Sequence, residues 1–221
     1  MLIFILTEVI VLLVIFFLLL ILSAVWPPDS PWAPWWQMPE NVIQKMCKMA
    51  RISAKDVIYD LGCGTGKALI LAATSYGAKG VGIEIDPVRF WIASWNVHSS
   101  LRAKPDTRWH LAKRNNLIEN KRLPQSLRSF AMTKGQLDIT FLKKNFFTVD
   151  LAPATVIFVY LVPAALKRLV PKFLKELRPG TKFLSYVYPM PEELFKGKLK
   201  LIKHDKESKI FYYQLLAEAK Q

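Results

Sequence analysis

A glycine-rich segment set between an apolar run and an amphipathic run governs what this chain can fold into. Asp56-Val-Ile-Tyr-Asp60-Leu61 reads as a buried strand, Gly62-Cys63-Gly64-Thr65-Gly66 as a tight turn, and Lys67 to Tyr76 as a helix closed by Gly77. Gly80-Val-Gly-Ile-Glu84-Ile85 is a second apolar strand, and Asp86-Pro87 opens a helix through Phe90, Trp91, Ala93 and Trp95 towards Ser99. This β-α-β-α order predicts an α/β fold, a mostly parallel sheet covered by helices on both faces.

The later chain continues the pattern. Strands are expected near Asp138 to Leu142, from Thr155 to Leu161 and from Thr181 to Val187, with Leu199 to Lys203 and Ile210 to Leu215 as a closing pair. A helical stretch from Ala164 to Leu177 is expected to be divided by Pro171 and stopped by Arg178-Pro179-Gly180. Before the first strand, Val42, Ile43, Met46 and Met49 recur at helical spacing, which predicts a short amphipathic helix from Glu40. Residues 101–135 are basic and aperiodic and read as an inserted excursion. No internal repeat is found.

Residues Leu2 to Trp26 are apolar except for Thr7, Glu8 and Ser23, and Val9 to Leu22 is an unbroken run of Val, Ile, Leu and Phe. Twenty-five residues at about 1.5 Å each exceed the roughly 30 Å hydrocarbon core of a bilayer. The segment therefore reads as a transmembrane helix. A cleaved signal peptide is the alternative, but a basic n-region is missing and the apolar run is too long for one. Pro27, Pro28, Pro31 and Pro34 with Trp26, Trp32, Trp35 and Trp36 follow, either as a juxtamembrane segment in the headgroup zone or as a stiff linker packed on the domain.

Charge sharpens the division. The chain carries 31 basic and 17 acidic residues, a formal +14, yet no Lys or Arg precedes Lys45. With Glu8, Asp29 and Glu40 set aside, 31 basic and 14 acidic residues leave +17 on the part from residue 45 onwards. The positive-inside rule then places the domain on the cytoplasmic side, or the mitochondrial equivalent. Such a domain is drawn to anionic surfaces, of which acidic lipid beside an anchor is the simplest. Nucleic acid is not favoured, because interleaved aromatic and basic recognition motifs are absent. Two cysteines exclude a disulfide scaffold, and 52% apolar content excludes low-complexity disorder.

The glycine turn occupies the place where open α/β sheets bind ligands. A phosphate loop would need Ser or Thr after Gly66-Lys67, where Ala68 stands, and a glycine five residues before Gly66. A dinucleotide fingerprint would need its third glycine at Lys67. Metal and covalent readings also fail: His98, His110 and His204 lack ligand-spaced partners, and Cys63 has no His, Asn or Asp constellation to activate it.

The spacing that remains, D-x-G-x-G-x-G with Glu84 at the tip of the next strand twenty-four residues after Asp60, resembles the class I S-adenosylmethionine-dependent methyltransferases over roughly Pro39 to Gln221. That resemblance implies a Rossmann-like seven-stranded fold and S-adenosylmethionine as cofactor. It implies that Gly62, Cys63, Gly64 and Gly66 pass beneath the amino acid and sulfonium part of the cofactor, that Asp60 helps position it, and that Glu84 accepts hydrogen bonds from the ribose hydroxyls. A turn-forming Asp60 and a solvated Glu84 are the plain alternatives. Asn145 stands where many members carry an Asp contacting the adenine, and a loop-forming role is equally open to it. Asp150 reads as a cap or as functional. Tyr160 and Pro163 end the fourth strand beside the expected methyl position, with Tyr188 after the fifth. For Tyr160 the choice is between orienting a nucleophile and packing at the sheet edge.

A membrane helix, a Pro/Trp linker and an amphipathic helix ahead of Val57-Ile-Tyr-Asp-Leu-Gly, Gly82-Ile-Glu-Ile-Asp-Pro and Ile157-Phe-Val-Tyr-Leu-Val-Pro resemble more narrowly the membrane-anchored protein-lysine methyltransferases. Their mitochondrial members modify the ATP-synthase c-subunit and the adenine nucleotide translocase, and they have prokaryotic relatives. Cys63 and Thr65 lie where members of that group often have Ser or Cys and Asp, so that Thr65 departs from the pattern. The implied division is an anchor over 1–26, a linker over 27–38 and a methyltransferase domain over 39–221. The implied function is methyl transfer to a lysine of a membrane or membrane-associated protein, with no metal. Two alternatives stay open: a lipid or quinone acceptor, and a non-catalytic tethered module that binds a nucleotide-like ligand or an anionic partner.

Overall fold

The computed structural model of the chain describes residues 2–25, 36–102 and 137–217. The first helix, α1 (Leu2–Val25), includes an 18-residue window, Phe4–Ile21, of mean hydropathy 3.2 whose side chains are all exposed. Among the described residues it is the one helix long and apolar enough to cross a membrane by length and composition.

Helix α2 (Glu40–Met49) follows Pro39 and turns Val42, Ile43, Met46 and Cys47 inward, the three- and four-residue rhythm of an amphipathic helix. Then come β1 (Val57–Leu61), α3 (Lys67–Tyr76), β2 (Lys79–Glu84), α4 (Pro87–Arg102), β3 (Ile139–Lys143), β4 (Val156–Val159), α5 (Pro163–Glu176), β5 (Lys182–Tyr186), β6 (Leu199–Asp205) and β7 (Ile210–Leu215). The seven strands form one sheet in the order β3-β2-β1-β4-β5-β7-β6. Pairings among β1 to β5 are parallel, whereas β7 runs antiparallel to both β5 and β6.

Side-chain alternation along the inner strands divides the core in two. Tyr59, Leu61, Ile157, Val159 and Phe183 face α5, whose Leu166, Leu169, Val170 and Phe173 meet them. Ile58, Val156, Phe158 and Leu184 face the opposite way, onto α2 and α3. Inner strands buried on both faces must be apolar at every position, which is why β4 reads Val-Ile-Phe-Val without alternation.

A polar latch ties the other end of the sheet. The buried Asp56 accepts the Ser53 N–H at 2.8 Å and the Ser53 hydroxyl at 2.9 Å, and pairs with Lys182 Nζ at 3.1 Å across β4. The start of β1 is thereby held to the start of β5.

The expected elements are present, with shifted ends and one correction. Pro171 does not divide its helix: α5 is continuous from Pro163 to Glu176. Pro171 and Lys167, the residue whose carbonyl loses its helical partner, both lie on the exposed face, where water can satisfy that oxygen while the apolar stripe stays packed. Helix α4 continues past Ser99 to Arg102. The Pro/Trp residues from Trp26 to Trp35 and the basic excursion after Arg102 lie outside the described residues.

Phe183 is fully buried, with ring centroids 5.1 Å from Phe173 and 6.0 Å from Phe195. Phe183→Ala should destabilise the domain by about 3–5 kcal/mol, measurable as a lowered urea midpoint with cofactor absent.

Candidate active site

Strand order reverses between β1 and β4, and a cleft opens there at the carboxyl ends of β1, β2 and β4. Its floor is the glycine loop. The N–H groups of Gly62 and Cys63 both donate to the Ile83 carbonyl, at 2.9 and 3.1 Å, so the loop is fastened to the tip of β2. Gly66, at φ +74°, starts α3 in the left-handed region, and a Cβ there would fall 2.5 Å from the Phe141 ring. Gly82 is equally tight: a Cβ would lie 2.5 Å from Phe141 and 2.8 Å from Cys63 Sγ.

Glu84 is buried and collects three backbone donors. Its Oε2 accepts from Gly64 N–H at 2.9 Å, and its Oε1 accepts from Ile85 and Asp86 N–H, both at 3.0 Å. A carboxylate has about four acceptor directions, so the one left open points from Oε2. Asp86 caps α4 by accepting the Arg89 N–H at 2.8 Å.

Asp60 is buried beside this carboxylate. Burial first, and the neighbouring Glu84 charge second, push its pKa from 3.8 up to about 7. The Cys63 thiol, buried between the two acids, is pushed well above its ordinary value, again chiefly by burial. It is an apolar floor and not a nucleophile. At the other side of the cleft stands Tyr160, whose phenol is also pushed upward by burial and by Tyr186 and Tyr188.

Asp60, Gly62, Cys63, Gly64, Glu84 and Tyr160 thus line one cleft. Gly66 is not in the lining and packs against Phe141 and Ala93. Asn145 caps a short 3-10 turn, Phe146–Thr148, by accepting the Phe147 N–H at 3.0 Å, which leaves one lone pair on its amide oxygen. Asp150 forms a local turn in its loop, accepting the Ala152 N–H at 3.0 Å. Pro163 is the first residue of α5, and Tyr188 follows β5; neither these two nor Asn145 is in the cleft lining. Sequence reasoning missed several lining residues, among them Trp36, Met38, Phe146 and Leu161. Phe146 and Leu161 adjoin residues already singled out. Trp36 and Met38 carry no local signal, and chain entry brings them there, with Gln37 Nε2 donating to Thr65 Oγ1 at 3.5 Å. Among the described residues no group of His, Cys, Asp and Glu could hold a metal.

The cleft offers two carboxyl groups at one side and apolar or aromatic walls at the other. It suits a ligand with hydroxyls and an ammonium group joined to a flat ring.

Comparison with known proteins gives the same reading. Residues 110–194 match the family described as the ANTKMT methyltransferase domain. A protein-lysine N-methyltransferase of Saccharolobus islandicus is 31% identical over 171 residues, 75% of this chain and 86% of that protein. An RNA methyltransferase from Salinibacter ruber, solved with S-adenosyl-L-homocysteine, is 27% identical with a TM-score of 0.60, covering 84% of this chain and 97% of that one. An S-adenosylmethionine-dependent O-methyltransferase of Thermotoga maritima, 14% identical with a TM-score of 0.52 over 84% and 68% of the two chains, shares the fold.

The raised pKa of Asp60 has a thermodynamic consequence. Between its unfolded value of 3.8 and its folded value of about 7, the folded state holds a proton that the unfolded state has lost. Its contribution to stability therefore falls as pH rises from about 4 to about 7, and is constant above. Thermal melting of the ligand-free protein should show this slope, and Asp60→Asn should remove it and melt higher at neutral pH.

Proposed function

Because the chain belongs to the class I S-adenosylmethionine-dependent methyltransferases of the ANTKMT type, and so uses S-adenosylmethionine as cofactor, we propose that it methylates lysine side chains of proteins in or beside a membrane. One observation carries the site assignment: a single cleft unites Asp60, the glycine turn, Glu84 and Tyr160. The lysine acceptor is supported by the Saccharolobus relative, and the membrane setting by α1 and by the basic charge that begins only at Lys45. Membership of an enzyme family sets aside the non-catalytic reading. The proposed division is an anchor over 1–26, a linker over 27–38 and the catalytic domain over 39–221, with the domain on the cytoplasmic or mitochondrial-equivalent side, against an anionic lipid surface.

In this reading Asp60, Gly62, Cys63, Gly64 and Gly66 hold the amino acid end of the cofactor, and the open direction on Glu84 Oε2 takes a ribose hydroxyl. Asn145 has one amide lone pair for the adenine. When bound, the cofactor supplies a methyl group on a sulfonium centre. The chain's task is to align an acceptor lone pair with it and to exclude water. A lysine amine has that lone pair only after losing its proton, and its ordinary pKa of about 10.4 leaves little neutral amine at pH 7. A half-buried pocket lowers that value by desolvation. Tyr160, kept in its neutral form by its own raised pKa, offers an oxygen that accepts one N–H of the neutral amine. Pro163 and Tyr188, which stand outside the cleft lining, would flank the acceptor side, where aromatic faces tolerate the methylated cation. No dedicated strong base is required.

Four outcomes are expected. Glu84→Ala should weaken S-adenosylmethionine binding by about one to two orders of magnitude in calorimetric titration, since it removes hydrogen bonds to a charged group. Turnover should rise between about pH 7 and 9 as the acceptor loses its proton. Protease protection in sealed vesicles should find residue 45 onwards on the side that supplies the cofactor. Mass spectrometry of membrane proteins from cells with and without the gene should show increments of one to three methyl groups on lysine; label confined to extractable lipid would point instead to a lipid or quinone acceptor.

A further inference from the structure

At the end of β5 the chain does something a β-branched residue rarely permits. Val187 has φ +68°, and the Tyr188 N–H donates back to the Tyr186 carbonyl at 2.9 Å. That is a γ-turn of the strained hand, centred on a valine and not on a glycine. The surroundings hold it from both sides. The Val187 N–H donates to the Lys209 carbonyl at 2.8 Å, and the fully buried Ser185 hydroxyl donates to the Tyr188 carbonyl.

The turn has a geometric effect. Ser185 pairs in register with Val159, so Tyr186 stands beside Tyr160, and their rings meet edge to face at 4.7 Å. Continued as a strand, the chain would carry Tyr188 roughly 7 Å farther along the β5 direction. The γ-turn folds it back, and both Tyr186 and Tyr188 then lie close enough to act electrostatically on the Tyr160 phenol. Tyr160 itself lines the cleft. Strain of this kind persists only where neighbouring contacts over-determine it, and it gathers at sites that must be held in one geometry.

We propose that Tyr186 is a positioning residue for Tyr160 and that Val187 supports it, the strained turn keeping Tyr186 and Tyr188 beside Tyr160 so that the acceptor nitrogen meets a fixed phenol oxygen. This rests on the acceptor-side reading given above. The three tyrosines act as one unit. Tyr160 faces the nitrogen, Tyr186 fixes the Tyr160 ring by its edge contact, and Tyr188, packed against the core on the α5 side, stays within electrostatic reach of the Tyr160 phenol. The strain is a stability cost retained for geometry, so relieving it should separate stability from turnover.

The test uses the full chain in detergent micelles, with poly-L-lysine as methyl acceptor and ring-labelled tyrosine for NMR, the Tyr160 resonance being assigned by Tyr160→Phe. Val187→Gly accepts the positive φ without strain but loses the stiffness of the branched side chain. Its melting temperature should be unchanged or higher and S-adenosylmethionine affinity should stay within twofold. Turnover should fall at least tenfold, and the Tyr160 ring signal should lose the ring-current shift imposed by Tyr186. Ser185→Ala, which frees the Tyr188 carbonyl, should reproduce the kinetic loss, and Tyr186→Phe, which keeps the edge contact, should retain the ring shift. Turnover within twofold of the parent in Val187→Gly, with the Tyr160 signal unmoved, overturns the proposal. Equal losses of turnover and cofactor affinity also overturn it, because the turn would then serve the cofactor side. If the parent leaves poly-L-lysine unlabelled, the lysine reading fails separately, and the ring shift alone decides: moved in Val187→Gly it supports the three-tyrosine unit, unmoved it removes it.

Discussion

β1 lies between β2 and β4, parallel to both, and the site depends on that placement. Chain connections leave β1 in opposite senses on its two sides, so no loop crosses the seam between β1 and β4 and a crevice remains. Every group in the cleft is then set by strand register. Asp60 pairs with Gly82 on one side and Phe158 on the other, which puts it two pairings short of Glu84 and two short of Tyr160. On the β2 side, the absence of a side chain at Gly82 lets Cys63 and Phe141 close over the strand. Glu84 finishes the work by binding three backbone N–H groups from two segments, which turns the end of a strand, a loop and the start of α4 into one unit.

The antiparallel hairpin plays a different part. Lys45 on α2 donates to Ser208 at 2.6 Å and pairs with Asp205 at 3.5 Å, and the Ser208 N–H bonds Asp205 at 3.0 Å. These contacts order the β6–β7 turn, whose last residue, Lys209, supplies the carbonyl that receives the Val187 N–H. Backbone geometry beside Tyr160 is thus supported through a hairpin and a helix on the far side of the site. The Lys45 contacts are partly exposed and weak one by one; the arrangement stands because backbone bonds of the sheet carry it and the charges only select the turn.

Local signals explain which features were legible in the sequence. The ends of α3 could be read because Gly66 and Gly77 both adopt the left-handed region there, a demand that a side chain would resist. Glu84 could be read because its distance from Asp60 counts one helix and one strand. Pro171 misled, since its breaking effect depends on whether the orphaned carbonyl faces solvent, a tertiary fact. Trp36 and Met38 reach the cleft from a segment whose composition suggests only a linker. Val187 was invisible for the opposite reason: residue preference argues against the conformation it adopts, so only the hydrogen bonds around it disclose the turn.

One edge of the sheet is β6, exposed over nearly its whole length, with Leu201 and Ile202 at the surface. Such an edge invites another strand. Here Lys200 and Lys203 stand on it, and a register shift between Leu201 and Lys203 breaks its flatness, both of which discourage pairing between copies. N-methylation of a lysine leaves its positive charge in place, unlike acetylation. Even an edge exposed to the enzyme's own chemistry would keep its repulsion, so protection against self-association does not depend on whether those lysines are methylated.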